Sequence, residues 1–163
     1  MELVLRPLTE TDWKAVSKIY AEGISTGIAT FETTIPSWEL WNEKYIEHCR
    51  IVAEHNNEVL GFAVLSPVSK RAVYKGVAEV SVYVSEQHRG NRIGEALLKQ
   101  LIGESEKNGF WTLQASIFSI NIGSIRLHEK CGFRVVGVRE KIGKLHGEWY
   151  DNHLLERRSH KIT

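Results

Sequence analysis

Long apolar runs are missing from this chain of 163 residues. Nothing in it approaches the roughly 20 consecutive apolar residues that a helix needs to cross a bilayer, so no membrane span is expected. The opening Met1-Glu2-Leu3-Val4-Leu5-Arg6 lacks the charged-then-apolar layout of a signal peptide. Cysteine is scarce: Cys49 and Cys131 fit neither a disulfide framework nor a metal-ligand spacing, and each follows a helical pattern, as buried thiols do. Seven histidines form no His-x-x-x-His pair or similar cluster, so no metal is expected. An excess of one charge is absent too. Twenty-one Lys and Arg stand against 20 Asp and Glu, which gives no electrostatic case for nucleic acid. The basic end at Arg157, Arg158 and Lys161 reads as a solvated terminus. There is no repeat, linker or low-complexity segment. The expectation is one domain over residues 1–163, able to bury a real core, in a cytoplasmic protein.

The most informative stretch runs from Val77 to Gly109. In Val77–Val84, Ala78, Val80, Val82 and Val84 make one apolar face, while Glu79, Ser81 and Tyr83 point the other way, as in a strand. After Gly94 the spacing turns helical, with Ile93, Leu97 and Leu101 in one row and Gly94, Leu98 and Ile102 beside it. Gly109 supplies a left-handed stop, and Phe110 is free to fold back on the last turn.

Between strand and helix lies Gln87-His88-Arg89-Gly90-Asn91-Arg92-Ile93-Gly94. A helix start leaves amide N–H groups without partners and carries the positive end of the dipole. Gly90 and Gly94 let an anion approach the backbone, and His88, Arg89 and Arg92 add charge. The physics points to a phosphate or pyrophosphate site, although a plain turn into a helix would use the same residues. A Walker loop needs Gly-Lys-Ser/Thr, which is absent. A dinucleotide fingerprint needs G-x-G-x-x-G after a first parallel strand, and here a strand-rich half precedes the loop.

Elsewhere, Leu3–Leu8 alternates as a first strand. Thr9 with Asp12 opens a helix through about Glu22, with Trp13, Val16, Ile19 and Tyr20 as its stripe. Ser37 caps a second helix in which Trp38, Trp41, Tyr45 and His48 recur at helical spacing, a row suited to packing. Arg50–Glu54 and Val59–Ser66 read as strands joined by a hairpin turn at 55–58. Thr112–Phe118 is a further strand, and Asn121 with Ser124 caps a helix to Cys131, closed by Gly132 and Phe133. Arg134–Arg139 and Glu148–Leu155 are the last strands, separated by a turn over Ile142–Gly147. Such mixing implies a layered α/β sheet.

The loop also matches a known pattern. Gln87 and Gly90 stand at positions of the Gln/Arg-x-x-Gly-x-Gly/Ala motif, with Ile-Gly following, and Arg92 sits where Gly or Ala is usual. Further matching segments are Leu5-Arg6-Pro7, Ala29-Thr30-Phe31-Glu32, Arg71-Ala72-Val73-Tyr74-Lys75, Glu79–Val84, Leu127–Phe133 and Trp149-Tyr150-Asp151. From Leu3 to about Leu155 the chain resembles the phosphinothricin acetyltransferase branch of the GNAT superfamily of N-acetyltransferases. The resemblance implies the GNAT fold: a mixed, mostly antiparallel sheet of about seven strands, splayed between strands 4 and 5 and flanked by about four helices. It implies acetyl-CoA as co-substrate, a small amino-acid-like amine acceptor such as phosphinothricin, methionine sulfoximine or methionine sulfone, and a homodimer. Protein N-terminal or polyamine acetylation, or non-catalytic sensing of acetyl-CoA, remain as alternatives.

Acetyl transfer to an amine needs a base, because free aliphatic amines are mostly protonated near neutral pH. It needs N–H donors for the carbonyl oxygen, relief for the leaving thiolate, and close placement of both substrates. The resemblance makes Glu79 the base, acting through a water, although an isolated strand carboxylate has an ordinary reading as surface. It makes His128 the acid for the thiolate, a residue that could equally be packing. Val82, Tyr83 and Val84 would pair by backbone with the pantetheine arm like an added strand. Arg89, Gly90, Asn91, Arg92, Ile93, Gly94 and Glu95 would hold the pyrophosphate, and Asn121 would reach the arm as well as cap its helix. Phe31, Arg71, Tyr74 and Lys75 would face the acceptor, with Arg71 taking its carboxylate. Without a Cys–His nucleophile pair, direct attack in a ternary complex is expected rather than an acyl-enzyme.

Overall fold

The computed structural model describes residues 1–163. Strands β1 (Val4–Pro7), β2 (Ile51–His55), β3 (Glu58–Pro67), β4 (Val77–Val84), β5 (Thr112–Phe118), β6 (Arg134–Leu145) and β7 (Glu148–Arg158) form one open sheet. Their spatial order is β1-β2-β3-β4-β5-β7-β6. Helices α1 (Trp13–Thr26), α2 (Trp38–Lys44), α3 (Ile93–Lys107) and α4 (Ile122–Lys130) cover it. All neighbouring strands are antiparallel except β4 and β5.

Period-two alternation sorts the side chains into two layers. Ala63 and Leu65 of β3, with Ala78 and Val80 of β4, bury against Ile93, Leu97, Leu98 and Leu101 of α3 and Ile125 of α4. Phe62 and Val64 point the other way, to Val16, Ile19 and Tyr20 of α1 and Trp41 of α2. Covered on both sides, β3 is an unbroken apolar run from Leu60 to Leu65.

Helix α1 runs four residues past the expected Glu22, because the left-handed stop is Gly27 at φ 71°. It carries Gly23 in its interior for a packing reason: a Cβ there would lie 2.7 Å from the Tyr83 ring. Helix α2 is shorter than its aromatic spacing predicts. It ends at Lys44, Tyr45 is extended, and His48 is exposed outside the helix. The buried Arg50 guanidinium takes over the helix end. It donates to Asn42 Oδ1 (2.6 Å) and to the carbonyls of Asn42 (2.9 Å), Tyr45 (2.7 Å) and Ile46 (2.9 Å). Trp38 and Trp41 do pack, stacking on each other at 5.6 Å and against Trp13.

The expected turn at Ile142–Gly147 contracts to His146-Gly147, both at positive φ, with β6 running on to Leu145 through two register shifts. Arg157 and Arg158 are not a solvated tail. They belong to β7, paired with Leu113 and Thr112 of β5. Both cysteines are buried free thiols.

The feature that places the site is the junction of β4 and β5. Only Val77↔Thr112, Ala78↔Leu113 and Glu79↔Gln114 are in register. Beyond Glu79 the strands part, while β5 stays paired to β7 as far as Phe118↔Asn152. The sheet is splayed where the resemblance implied.

Candidate active site

Two clefts meet at this divergence. The larger, about 660 Å³, lies between the α3 and α4 starts and the open side of β4. Ser85 and the short helical turn Glu86–His88 lead the chain from β4 toward α3. Gly90 sits at φ 83° with nothing within 4 Å of where a Cβ would be, and Arg92 is left-handed at φ 60°, ψ 18°. No side chain caps the start of α3. The first-turn amides of Ile93, Gly94 and Glu95 therefore lack intrahelical acceptors and are free for an anion. Arg89 and Arg92 line this cleft with Gly90, and α4 adds Arg126 and Lys130. Asn91 does not line it; its side chain donates to the His88 carbonyl at 3.0 Å. The Glu95 carboxylate accepts from Lys99 (2.7 Å) and Lys130 (2.8 Å), which hold its pKa down at about 2. That carboxylate is occupied, so Glu95 has only its backbone N–H to offer an anion. Val82, Tyr83 and Val84 form the cleft's inner wall. From Val80 onward β4 has no strand partner on its β5 side, which leaves room for an extended ligand arm.

The smaller cleft, about 290 Å³, shares Ala29, Val82, Tyr83, Asn121 and Ser124 with the first. Glu79 and Ser81 line it from β4, Ser116 and Phe118 from β5, and His128 from α4. Glu79 has no salt-bridge or hydrogen-bond partner, so its carboxylate oxygens are unengaged. Asn121 accepts from Ser124 N (3.3 Å) as a helix cap and donates to the Ile28 carbonyl (3.3 Å). This ties α4 to the loop after α1. Phe31 packs against Phe118, ring centroids 4.4 Å apart and tilted by 37°, and presses on Gly143, where a Cβ would be 2.6 Å from the ring. Half-buried and outside both core layers, it forms a wall of this cleft.

His128 is 5% exposed and donates from Nδ1 to the Ser124 carbonyl at 2.7 Å. A carbonyl can only accept, so the proton is on Nδ1 and Nε2 carries the lone pair. Burial lowers its pKa from the ordinary value, against the Ser124 hydrogen bond, which raises it. In this state the ring can accept a proton, and it can pass one on only after receiving it.

Arg71, Tyr74 and Lys75 are exposed on the loop before β4 and line neither cleft. Arg71 lies over the Tyr74 ring at 5.4 Å. The cation that does line the acceptor-sized cleft is Lys44, at the end of α2, close to Tyr45 and accompanied by Glu32. Sequence reasoning missed it because a lysine at a helix end reads as a dipole partner. It also missed Tyr20, Tyr45 and Asn152. The tyrosines look like ordinary stripe residues, and their phenols are pushed up mainly by burial, Tyr45 to about 12.

A parted parallel pair, a helix start with free amides and a carboxylate at the junction define an acyl-transfer scaffold built around an extended phosphorylated donor. Residues 13–133 match the acetyltransferase (GNAT) family, and the chain belongs to it. The protein is thus an acetyl-CoA-dependent N-acetyltransferase. Phosphinothricin N-acetyltransferase of Streptomyces viridochromogenes is 32% identical, over 90% of this chain and 82% of its own. The L-methionine sulfoximine/L-methionine sulfone acetyltransferase of Salmonella typhimurium is 29% identical, over 91% of this chain and 90% of its own. The structure of a phosphinothricin acetyltransferase from Sinorhizobium meliloti in complex with acetyl-CoA superposes with a TM-score of 0.90. It is 32% identical, covering 100% of this chain and 91% of that one.

Proposed function

We propose that the acceptor is the primary amine of a small amino acid with a polar tetrahedral side-chain terminus, of the phosphinothricin or methionine sulfoximine and sulfone kind, and that residues 1–163 act as one functional unit. The observation that carries this is the small mixed-charge cleft, holding Glu79, Glu32 and Lys44, which opens onto the donor cleft at Val82 and Tyr83. A zwitterion suits such a lining. A polyamine would favour acidic groups alone, and a protein N-terminus would need a groove longer than about 290 Å³ allows.

The larger cleft would hold acetyl-CoA, with its diphosphate on the amides of residues 93–95 beside Arg89 and Arg92 and its arm along Val82–Val84. Bound there it supplies an activated acyl group. Glu79 removes the ammonium proton through a water, and a β4 N–H polarises the thioester oxygen. His128, neutral with Nε2 bare, receives a proton on the way to the leaving sulfur. Phe31 and the α1–α2 loop keep bulk water out and the two substrates together. Direct attack in a ternary complex fits a site without a cysteine nucleophile.

Free coenzyme A release, followed with an amine panel, tests the reading. We expect turnover with methionine sulfone and little with spermidine or N-terminal peptides. Tight acetyl-CoA binding with no release from any amine would leave only a sensor role. Glu79→Gln should lower kcat at neutral pH by roughly 10²–10⁴-fold with coenzyme A affinity retained. An unaltered pH–rate profile would remove Glu79 as the base.

We also infer a cytoplasmic homodimer. The free buried thiols suit a reducing compartment, and the edge strand β6 exposes Val135, Val136 and Val138. A one-chain mass in sedimentation would remove the dimer.

A further inference from the structure

Asn152 is 6% exposed, and its Oδ1 has no hydrogen-bond partner. It lines the acceptor cleft. Its place in the register explains why. Leu155 faces the α3 layer, so Asn152 faces the opposite side of the sheet, the side shared by Glu79 and Ser81. On β5 it pairs with Phe118, which Phe31 covers. Asn152 lines one cleft with Glu79, Ser81 and Val82, and Val82 also lines the cleft proposed for the acetyl donor.

An unpaired carboxamide in this position is costly. Leucine has similar volume and would fill the place without a polar atom. A buried polar group persists where something polar meets it. Rotating its terminal bond turns the carboxamide N–H into the cleft, where it can donate to the oxygens of a sulfone or phosphinate, which only accept.

We propose that Asn152 is a specificity-determining residue that hydrogen-bonds the polar terminus of the acceptor side chain, a sulfone, sulfoximine or phosphinate, and so discriminates against aliphatic amino acids of the same length. The inference rests on the acceptor class proposed above. When the cleft is empty of acceptor, water takes the place of that terminus. When an aliphatic acceptor enters, the water is displaced and the carboxamide is left bare, which is the source of the selectivity.

The probes are methionine sulfone and norleucine, which share chain length and differ by a sulfonyl group in place of one methylene. The measurement is kcat/KM for each, with wild type and Asn152→Leu. Wild type is expected to prefer the sulfone. In Asn152→Leu the preference should shrink by roughly tenfold or more, chiefly through a higher KM for the sulfone. Thermal stability should hold or rise, because an unpaired buried group has gone. Asn152→Ala carries the same kinetic expectation and serves if the leucine variant fails to fold. An unchanged preference, or an equal loss for both acceptors, would overturn this inference and leave the acceptor class standing. Failure of wild type to acetylate either amino acid would overturn both.

Discussion

Arg92 offers a test in which stability and binding should move in opposite directions. It holds a left-handed conformation, φ 60°, ψ 18°, directly before α3. A side chain in that region costs roughly 1–2 kcal/mol relative to glycine. Glycine returns part of this, roughly 0.5–1 kcal/mol, through the greater freedom of its unfolded chain. The net gain expected for Arg92→Gly is about 0.5–1 kcal/mol. For a chain of this length that is a rise of about 1–4 °C in Tm. The guanidinium is exposed and lines the donor cleft. Losing one solvent-screened charge beside a diphosphate is worth about 0.5–1 kcal/mol, or roughly a two- to fivefold weaker Kd for coenzyme A. Scanning fluorimetry without ligand and calorimetry with coenzyme A read the two effects separately. Arg92→Ala is the control: it should weaken coenzyme A similarly with no gain in Tm. A glycine variant that melts below wild type, or an alanine variant that melts above the glycine one, would refute the backbone argument. Unaltered coenzyme A affinity in both would refute the placement of the diphosphate.

Gly23→Ala should destabilise by roughly 1–3 kcal/mol despite alanine's helix propensity, because Tyr83 fills the space. Gly103→Ala in α3, where a Cβ meets nothing within 4 Å, should instead stabilise by up to about 1 kcal/mol; urea midpoints that moved alike would contradict the packing account. Arg50→Met strands four oxygen acceptors at the end of α2 and should cost about 3 kcal/mol or more; a loss under about 1 kcal/mol would show that the cap is dispensable. His128 has a folded pKa below its ordinary 6.5, so the unfolded chain takes up that proton first. Its effect on stability is nil well above pH 6.5 and grows unfavourable as pH falls toward the folded value. The drop in urea midpoint from pH 7.5 to 5 should therefore be smaller in His128→Gln, and an equal drop would show that the ring is solvated.

How much of this was legible in the residues depends on how local each determinant is. Strands β4 and β5 could be read to the residue, because alternation and the flanking glycines are local signals. The stop of α3 at Gly109 (φ 84°) was equally plain. Helix α2 was overextended because its terminator, Arg50, acts through space from the residue before β2. The β6–β7 turn was drawn too long because His146 takes a positive φ without being Gly or Asn. Of the proposed site residues, Arg89, Gly90, Arg92 and Gly94 follow from helix-end physics, whereas Glu79 and His128 need the family resemblance. Lys44 and Asn152 escaped both routes. The one local hint for Asn152 was a carboxamide at an inward position of a strand, which alternation alone cannot tell from an edge residue.

The three-pair contact of β4 with β5 has a further consequence. The two halves of the sheet are joined by three residue pairs and diverge beyond them, so strand pairing is sparsest beside the two clefts. An acetyl donor lying along β4 would act as a staple across that cleft. Those amides of residues 80–84 and 115–118 that are not bonded to β3 or β7 should then exchange readily in the empty enzyme and slow together on saturation. The lifetime of the polypeptide would in this way follow the supply of its own donor.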